Sequence, residues 1–257
     1  MAKQIINVGG DVTPQQRPAF VATPEAKAQA KQLRLYAGIL WILAIVAEIA
    51  AMAILFKKDP EIALSTGMRI ALIVILLIDL ILLIAGSSLW KKSNRFDPAS
   101  NRDAIKFMLQ NQLGVVVAAV AFLPVVILAF IKKEYLVGAI AALFMVGGGA
   151  ASADYHAPSQ EQYSQQTSRV EDLTGGNNVY WTKSGTKYHI YQDCPHINSS
   201  RTDEIFSGTV AKARELKNIT ELCKTCEARA EKEKALRGVQ SQPVATPPDA
   251  SATPEKK

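Results

Sequence analysis

Residues 36–56 read YAGILWILAIVAEIAAMAILF, an apolar run in which Glu48 is the only charged residue. A helix needs about 20 apolar residues to cross the hydrocarbon core of a bilayer. Similar apolar runs cover residues 68–90, 113–131 and 135–151. Only helices or closed barrels can cross lipid, and these runs lack the alternation that barrel strands require. The sequence therefore predicts an all-α membrane region of four transmembrane helices.

The membrane region is expected to cover residues 24–151. Thr23, Pro24 and Glu25 form a helix-start pattern, because Thr can cap the helix and Pro is favoured at its first position. The first helix should therefore begin near Pro24, ahead of its apolar run. The run at 135–151 is short and ends in three glycines, so a re-entrant or interfacial helix is the alternative for this segment.

Basic residues near the apolar runs predict the orientation in the membrane. Eight Lys or Arg residues flank the first run on its N-terminal side or lie between the second and third runs. The other two connections together carry five. Because short cytoplasmic segments are enriched in Lys and Arg, we expect a multi-pass cell-membrane protein with both termini in the cytoplasm. Much of the positive charge behind the net charge of +6 then lies in these flanks, and a nucleic-acid partner is not expected.

Two acidic residues, Glu48 and Asp79, lie near the middle of the first two predicted spans. A charge at this depth costs roughly 2.5–3.5 kcal/mol on insertion scales, so such residues usually face the interior of a bundle. One interpretation is a proton or cation relay. The other is a pair of protonated acids that hydrogen-bond within the bundle or at an oligomer contact. We favour the second, because the spans offer no basic partner.

The rest of the chain is polar, and its composition divides it into four parts. Residues 1–23 and 238–257 are too polar and Pro-rich to pack, so both are predicted to be disordered. Residues 152–178 are rich in Gln, Ser, Gly and Asn and are predicted to be a flexible linker. Order resumes at residue 179, and residues 179–237 are predicted to form a small α+β module.

Aromatic and β-branched residues between 179 and 191 flank a Ser-Gly pair, a pattern that predicts a short β-hairpin. An irregular turn region should follow. Residues 208–218 then have the apolar spacing of a helix. Thr220 is a candidate cap for a second helix, which would carry the last two cysteines and run to about residue 237.

The module contains all three cysteines of the chain, and their odd number argues against a simple disulfide framework. His189 precedes Cys194 by five positions, and Cys223 and Cys226 form a Cys-x-x-Cys pair about 30 residues later. Two such pairs can close a tetrahedral site of three sulfurs and one imidazole, which suits Zn²⁺. His196 is the alternative fourth ligand. A redox dithiol is the alternative role for the cysteines, but the βαβ context of a thioredoxin-like pair is missing.

Three segments carry a family resemblance: VYWTKSGTKYHIYQDCPH at 179–196, FSGTVAKARELKN at 206–218, and LCKTC at 222–226. Together they resemble the small zinc-binding domain related to the N-terminal domain of Ada DNA-repair proteins. The resemblance covers about 50 residues and implies that fold and a zinc site. In that family four cysteines bind zinc, and the first accepts a methyl group from a DNA phosphotriester. His189 stands at that first position, and Cys194, Cys223 and Cys226 match the others.

An imidazole cannot act as the zinc-activated thiolate of that reaction, so methyl transfer is not expected. The sequence thus predicts a non-enzymatic integral membrane protein that presents a structural zinc module to a protein partner in the cytoplasm. One alternative is a small transporter or channel subunit that uses Glu48 and Asp79, with the module as a sensor. Another is a zinc-dependent enzyme acting on nucleic acid. That alternative is disfavoured by the net charge of +2 between residues 179 and 232.

Overall fold

The computed structural model describes most of the chain, namely residues 4–7, 20, 22–200, 202–217 and 219–240. These residues belong to two compact units. The first unit covers residues 17–165, and the second combines residues 1–16 with residues 166–257. Most of the two segments predicted to be disordered lies outside the described residues.

The first unit contains four long helices: α1 (Pro24–Lys57), α2 (Thr66–Phe96), α3 (Ala104–Ile131) and α4 (Tyr135–Ser152). By length and composition, all four are able to cross a membrane. Each predicted apolar run lies within one of them, so the prediction of four long apolar helices is confirmed. Short connections join the helices in sequence; α1 packs mainly on α2, and α3 mainly on α4. The segment from 135 to 152 is one regular helix of 18 residues.

Side-chain caps define where the first three helices begin. The Thr23 hydroxyl accepts a hydrogen bond of 3.2 Å from the backbone N–H of Ala26, so α1 starts at Pro24 as predicted. Ser65 caps α2 in the same way, and Asp103 caps α3. Each cap provides an acceptor for an N–H group that has no partner within its own helix. These starts are therefore encoded locally, outside the apolar runs.

Small residues allow the four helices to approach closely. A Cβ atom on Gly86 would lie 2.7 Å from the indole ring of Trp41, and one on Gly148 would lie 2.8 Å from Leu80. Membrane helices commonly use small residues in this way, because van der Waals packing supplies much of their association energy. Outward-facing side chains are large and apolar, among them Leu43, Val46, Ile81, Val120, Leu143 and Val146.

A buried carboxylate joins two connections at one end of the bundle. Glu134 is 2% exposed and accepts hydrogen bonds of 2.9 Å from the Leu64 N–H and from Arg69 Nε. Lys58 Nζ lies 3.5 Å from the same carboxylate and donates to the Lys132 carbonyl. Burial opposes ionisation of Glu134, but the Leu64 N–H, Arg69 and Lys58 together lower its pKa. The network fixes the α1–α2 connection against the start of α4.

The second unit contains two small sheets. In the larger sheet, β4 (Glu204–Thr209) is central; it pairs in parallel with β1 (Gln4–Asn7) and antiparallel with β2 (Asn178–Thr182). The smaller sheet pairs β3 (Lys187–Tyr188) in parallel with β5 (Glu221–Leu222). β2 and β3 are consecutive strands on either side of the predicted Ser-Gly turn. Tyr180 of β2 forms an antiparallel bridge with His189, directly after β3, so the two segments pair as the predicted hairpin requires.

The described residues also form three shorter helices: α5 (Gln160–Thr174), α6 (Val210–Lys217) and α7 (Lys224–Gln240). The part of α5 from residue 166 onward belongs to the second unit, where Arg169 forms ion pairs with Glu227 and Glu231 of α7. Val170 and Leu173 of α5 are buried in the two apolar clusters of this unit.

The structure differs from the sequence-based expectations at four places. The linker predicted at 152–178 contains α5, and the disordered segment predicted at 1–23 contains β1. The turn region predicted before α6 contains β4. The last helix begins at Lys224 and not after Thr220, because residues 221 and 222 pair with β3. Cys223 therefore lies just before the helix and Cys226 within it.

Candidate metal centre

Four buried side chains converge in the second unit. The ligand atoms of His189, Cys194, Cys223 and Cys226 all lie within 4.8 Å of one another. Sγ of Cys226 is 3.7 Å from Nδ1 of His189. In a tetrahedral zinc site, bond lengths of about 2.3 Å to sulfur and 2.0–2.1 Å to nitrogen place the ligand atoms about 3.5–3.8 Å apart. The cluster therefore has the composition and approximate dimensions of a metal-binding site.

Strand pairing holds two of the four ligands. His189 directly follows β3, and its backbone N–H and C=O exchange two hydrogen bonds of 2.7 Å with Tyr180 of β2. Cys223 directly follows β5, and its N–H donates to the Tyr188 carbonyl at 2.9 Å. The parallel pairing of β3 with β5 thus places the ends of both strands side by side. These backbone contacts bring one imidazole and one thiol together.

A tight turn presents the third ligand, Cys194. Its N–H donates to the Tyr191 carbonyl at 3.3 Å, and its own carbonyl accepts from Ile197 at 3.0 Å and Asn198 at 2.8 Å. The side chain is 3% exposed. The turn therefore holds the Cys194 thiol inside the cluster of four.

The start of α7 supplies the fourth candidate ligand, Cys226, and lies directly after Cys223. The Cys223 carbonyl accepts the N–H of Glu227 at 2.9 Å, and Cys226 is the third residue of the helix. Burial opposes ionisation of Cys223, but the N–H groups of Cys226 and Thr225 outweigh it and lower the pKa of this thiol. Helix N-termini favour thiolates in general, since their N–H groups point at the sulfur.

The pKa values of the other three side chains are shifted in the direction that favours the neutral form. Burial, followed by the charge of His196, lowers the pKa of His189 to about 4. Burial raises the pKa of Cys194 to about 12 and also raises that of Cys226. The imidazole of His189 is therefore neutral at physiological pH, as a metal ligand must be, whereas metal binding would have to displace the protons of the Cys194 and Cys226 thiols.

A second group of side chains, which sequence reasoning missed, holds the Cys194 turn against α7. The guanidinium of Arg229 lies 4.0 Å from the ring centroid of Tyr191 and 2.9 Å from the Asp193 carboxylate. Tyr191 donates a hydrogen bond of 2.7 Å to Glu233. Only the spacing of Arg229 and Glu233, one helical turn apart, was visible in the sequence. Arg229 lies on the helix that carries Cys226, and it thus joins this helix to Tyr191 and Asp193 in the turn before Cys194.

His196, the alternative ligand, lies outside the cluster of four formed by the described residues. It is exposed, its Nε2 is 3.1 Å from the Thr225 hydroxyl, and its ring centroid is 6.4 Å from that of His189. A cleft of about 330 Å³ lies between this histidine and the candidate site. Its walls include Thr182, Lys187, His196, Ile197, Lys224 and Thr225, together with the ligands His189 and Cys223.

No protein-family model, curated protein or solved structure matches this chain. The resemblance to Ada metal-binding domains therefore stays a prediction. The four-residue cluster itself is the observation that supports a metal site.

Proposed function

We propose that the chain is an integral membrane protein and that its second unit is a structural zinc module in the cytoplasm. The convergence of His189, Cys194, Cys223 and Cys226 carries this proposal. Three sulfurs and one imidazole form a typical ligand set for structural zinc. Such a site has four protein ligands and no open position for a substrate, so the proposed role is non-enzymatic.

Zinc would supply folding energy that the small unit otherwise lacks. Its apolar side chains form two separate clusters, one of which includes all three cysteines beside Leu173, Ile190, Ile197 and Ile205. A structural zinc site contributes an apparent ~10–16 kcal/mol in zinc-finger peptides at neutral pH. The same thiols would stay reduced in the cytoplasm and remain available as ligands.

The resemblance to Ada domains agrees with this proposal for the fold and the metal. It does not extend to methyl transfer, since His189 occupies the position of the nucleophilic cysteine. An imidazole bound to zinc has no thiolate lone pair to offer an alkyl group.

We infer that a protein, and not a nucleic acid, is the partner of the module. The cleft beside the site combines hydroxyl groups, Ile197 and the exposed Lys224. Its other lysine, Lys187, lies 2.9 Å from Glu221, which offsets its charge. A mixed surface of this kind suits a polypeptide better than a phosphate backbone, which calls for a strongly basic face.

Site-specific photocrosslinking in intact cells tests the partner. A crosslinker in place of Lys224 should trap one defined protein, whereas a crosslinker in place of the exposed Lys232 on α7 should not. The Cys226→Ser change should abolish the Lys224 crosslink, because the cleft is built on the metal site. Equal crosslinking at both positions, or crosslinking that survives Cys226→Ser, would refute the proposed surface.

Thiol labelling tests the membrane arrangement. The side chain of Glu61, between α1 and α2, is 78% exposed, and that of Arg102, between α2 and α3, is 82% exposed. A membrane-impermeant thiol reagent should label Glu61→Cys in intact cells and Arg102→Cys only after permeabilisation. The unmodified chain, with its three buried cysteines, is the control. The reverse labelling pattern would invert the proposed orientation.

A further inference from the structure

Two acidic side chains meet inside the bundle without any basic partner. Glu48 of α1 is 3% exposed and Asp79 of α2 is fully buried. The two carboxyl groups lie close enough for each to affect the ionisation of the other. None of their four oxygens accepts a hydrogen bond from a donor among the described residues. Since buried polar groups normally have partners, this pair requires a ligand or a proton.

The neighbouring helices provide no counter-charge. The closest basic residues along α1 and α2 are Lys57 and Arg69, nine and ten positions away, which is about 13–15 Å of helix. Residues 107–131 of α3 and 136–152 of α4 contain no titratable side chain. The charged groups that face the pair from all four helices are therefore the two carboxyl groups themselves.

A proton satisfies this pair better than a metal ion. Calcium takes six to eight oxygen ligands and magnesium six, whereas the pair offers four oxygens. Asp79 lies on α2 between two buried leucines, Leu76 and Leu83. Both belong to the apolar core of the bundle. Two adjacent carboxylates in an apolar environment repel each other, so one of them retains its proton. That protonated carboxyl can donate its O–H to the other.

Toward the end of the bundle that carries the α2–α3 connection, several buried polar atoms have no hydrogen-bond partner among the described residues. Ser87 lies eight positions after Asp79 on α2, about 12 Å along the helix. Its hydroxyl, the Ser152 hydroxyl and the Asn111 amide nitrogen are buried without a hydrogen-bond partner among the described residues. Ser87 and Ser152 both border Gly114, where a Cβ would lie 2.5 Å and 3.0 Å from their side chains. Toward the other end, the buried polar side chains are Lys58 and Glu134, and both have hydrogen-bond partners.

We propose that Glu48 and Asp79 form a proton-binding site inside the helical bundle, which exchanges its proton through the end that carries the α2–α3 connection. The pair holds at least one proton at neutral pH, shared as an O–H···O hydrogen bond between the two side chains. The site titrates as a unit, because each carboxyl group determines the charge state of the other. The site is independent of the metal module and adds a proton-responsive element to the membrane region.

Infrared spectroscopy of the full-length protein in lipid vesicles tests the site. At pH 7 the unmodified protein should show the carbonyl band of an undissociated carboxylic acid. Glu48→Gln and Asp79→Asn should each shift this band, and the double variant should lack it. Glu61→Gln, which changes an exposed carboxylate, should leave it unchanged. A missing band in the unmodified protein, a band that persists in the double variant, or loss of the band on adding sodium or calcium ions at constant pH would overturn the proposal.

The rate at which this band shifts in deuterated buffer tests the route. Ser87→Ala should slow the exchange several-fold, because it removes the polar group nearest the pair on α2. Ser88→Ala is the matched control, since Ser88 is exposed and its hydroxyl donates to the Ile84 carbonyl at 2.8 Å. Equal exchange rates in the two variants would overturn the proposed route. The single acid variants keep the site testable if the double variant does not fold.

Discussion

Nδ1 of His189 lies 3.7 Å from Sγ of Cys226, although the two residues are 37 positions apart in the chain. Nδ1 is therefore the ring nitrogen that we expect to bind the metal. His196 is only two positions from Cys194, yet its Nε2 contacts the Thr225 hydroxyl. Proximity to Cys194 in the sequence would favour His196 as the fourth ligand, whereas proximity to the cysteines in space favours His189.

The two histidines should differ in their effect on zinc affinity. His189→Ala removes a ligand, so it should weaken zinc binding by more than the ~10–100-fold typical of losing a residue that only supports a ligand. His196→Ala should change the affinity by less than that range, because only a contact with Thr225 is lost. Competition with a chromophoric chelator measures both affinities in the full-length protein. A larger loss in His196→Ala than in His189→Ala would contradict the assignment.

Glu134 should contribute strongly to the stability of the bundle. Glu134→Gln keeps the shape of the side chain but leaves Lys58, whose side chain is 3% exposed, without its negative partner. Breaking a buried ion pair costs roughly 3–5 kcal/mol, and we expect the lower end because Arg69 is one-third exposed. Thermal unfolding in detergent measures the loss.

The matched control for this change is Glu61→Gln. Glu61 pairs with Lys133 at 2.8 Å, but its side chain is 78% exposed, so the variant should lose less than about 1 kcal/mol. The lowered pKa of Glu134 also predicts a pH effect. Its stabilising contribution should be complete above the ordinary value of 4.5 and disappear as the pH falls through the lower folded-state value. Equal stability losses in the two variants, or acid sensitivity that persists in Glu134→Gln, would count against the network.

Two glycines in the helices should respond in opposite ways to alanine. At Gly86 a Cβ would lie 2.7 Å from the Trp41 ring, whose indole N–H donates to the Leu83 carbonyl. Gly86→Ala should therefore destabilise the protein by roughly 1–3 kcal/mol through overpacking. A Cβ on Gly147 would meet no atom within 4 Å, and Gly147→Ala should be neutral or stabilising by up to about 1 kcal/mol. Thermal unfolding of both variants in detergent measures the difference, and a destabilised Gly147→Ala would contradict the packing.

The long helices were predictable because their signal is local and strong. Each apolar run lies in one helix, and the start of α1 at Pro24 follows from the cap residue Thr23. The four candidate ligands were also predictable, because the types and spacing of His and Cys residues limit the choices. The choice of His189 over His196 depended on the expected end of a strand, and backbone pairing with Tyr180 is what positions this residue.

The missed elements depend on contacts that are distant in sequence. β1 and β4 pair across about 200 residues, with Ile5 beside Ile205, so no local pattern predicts either strand. The polar composition of α5 favoured the prediction of a linker, although Gln is a good helix former. Its buried residues Tyr163, Val170 and Leu173 do recur at helical spacing, a signal that was present but sparse.

Metal analysis of the full-length protein, purified without added metal or chelator, tests the central claim most directly. We predict one zinc ion per chain by elemental mass spectrometry, with an X-ray absorption spectrum that indicates three sulfur ligands and one nitrogen ligand. Cys226→Ser should lose the ion, because it removes one of the four ligands that the structure brings within 4.8 Å. Protein that contains no zinc, or that keeps a full equivalent in Cys226→Ser, would contradict the assignment of His189, Cys194, Cys223 and Cys226 as a structural zinc site.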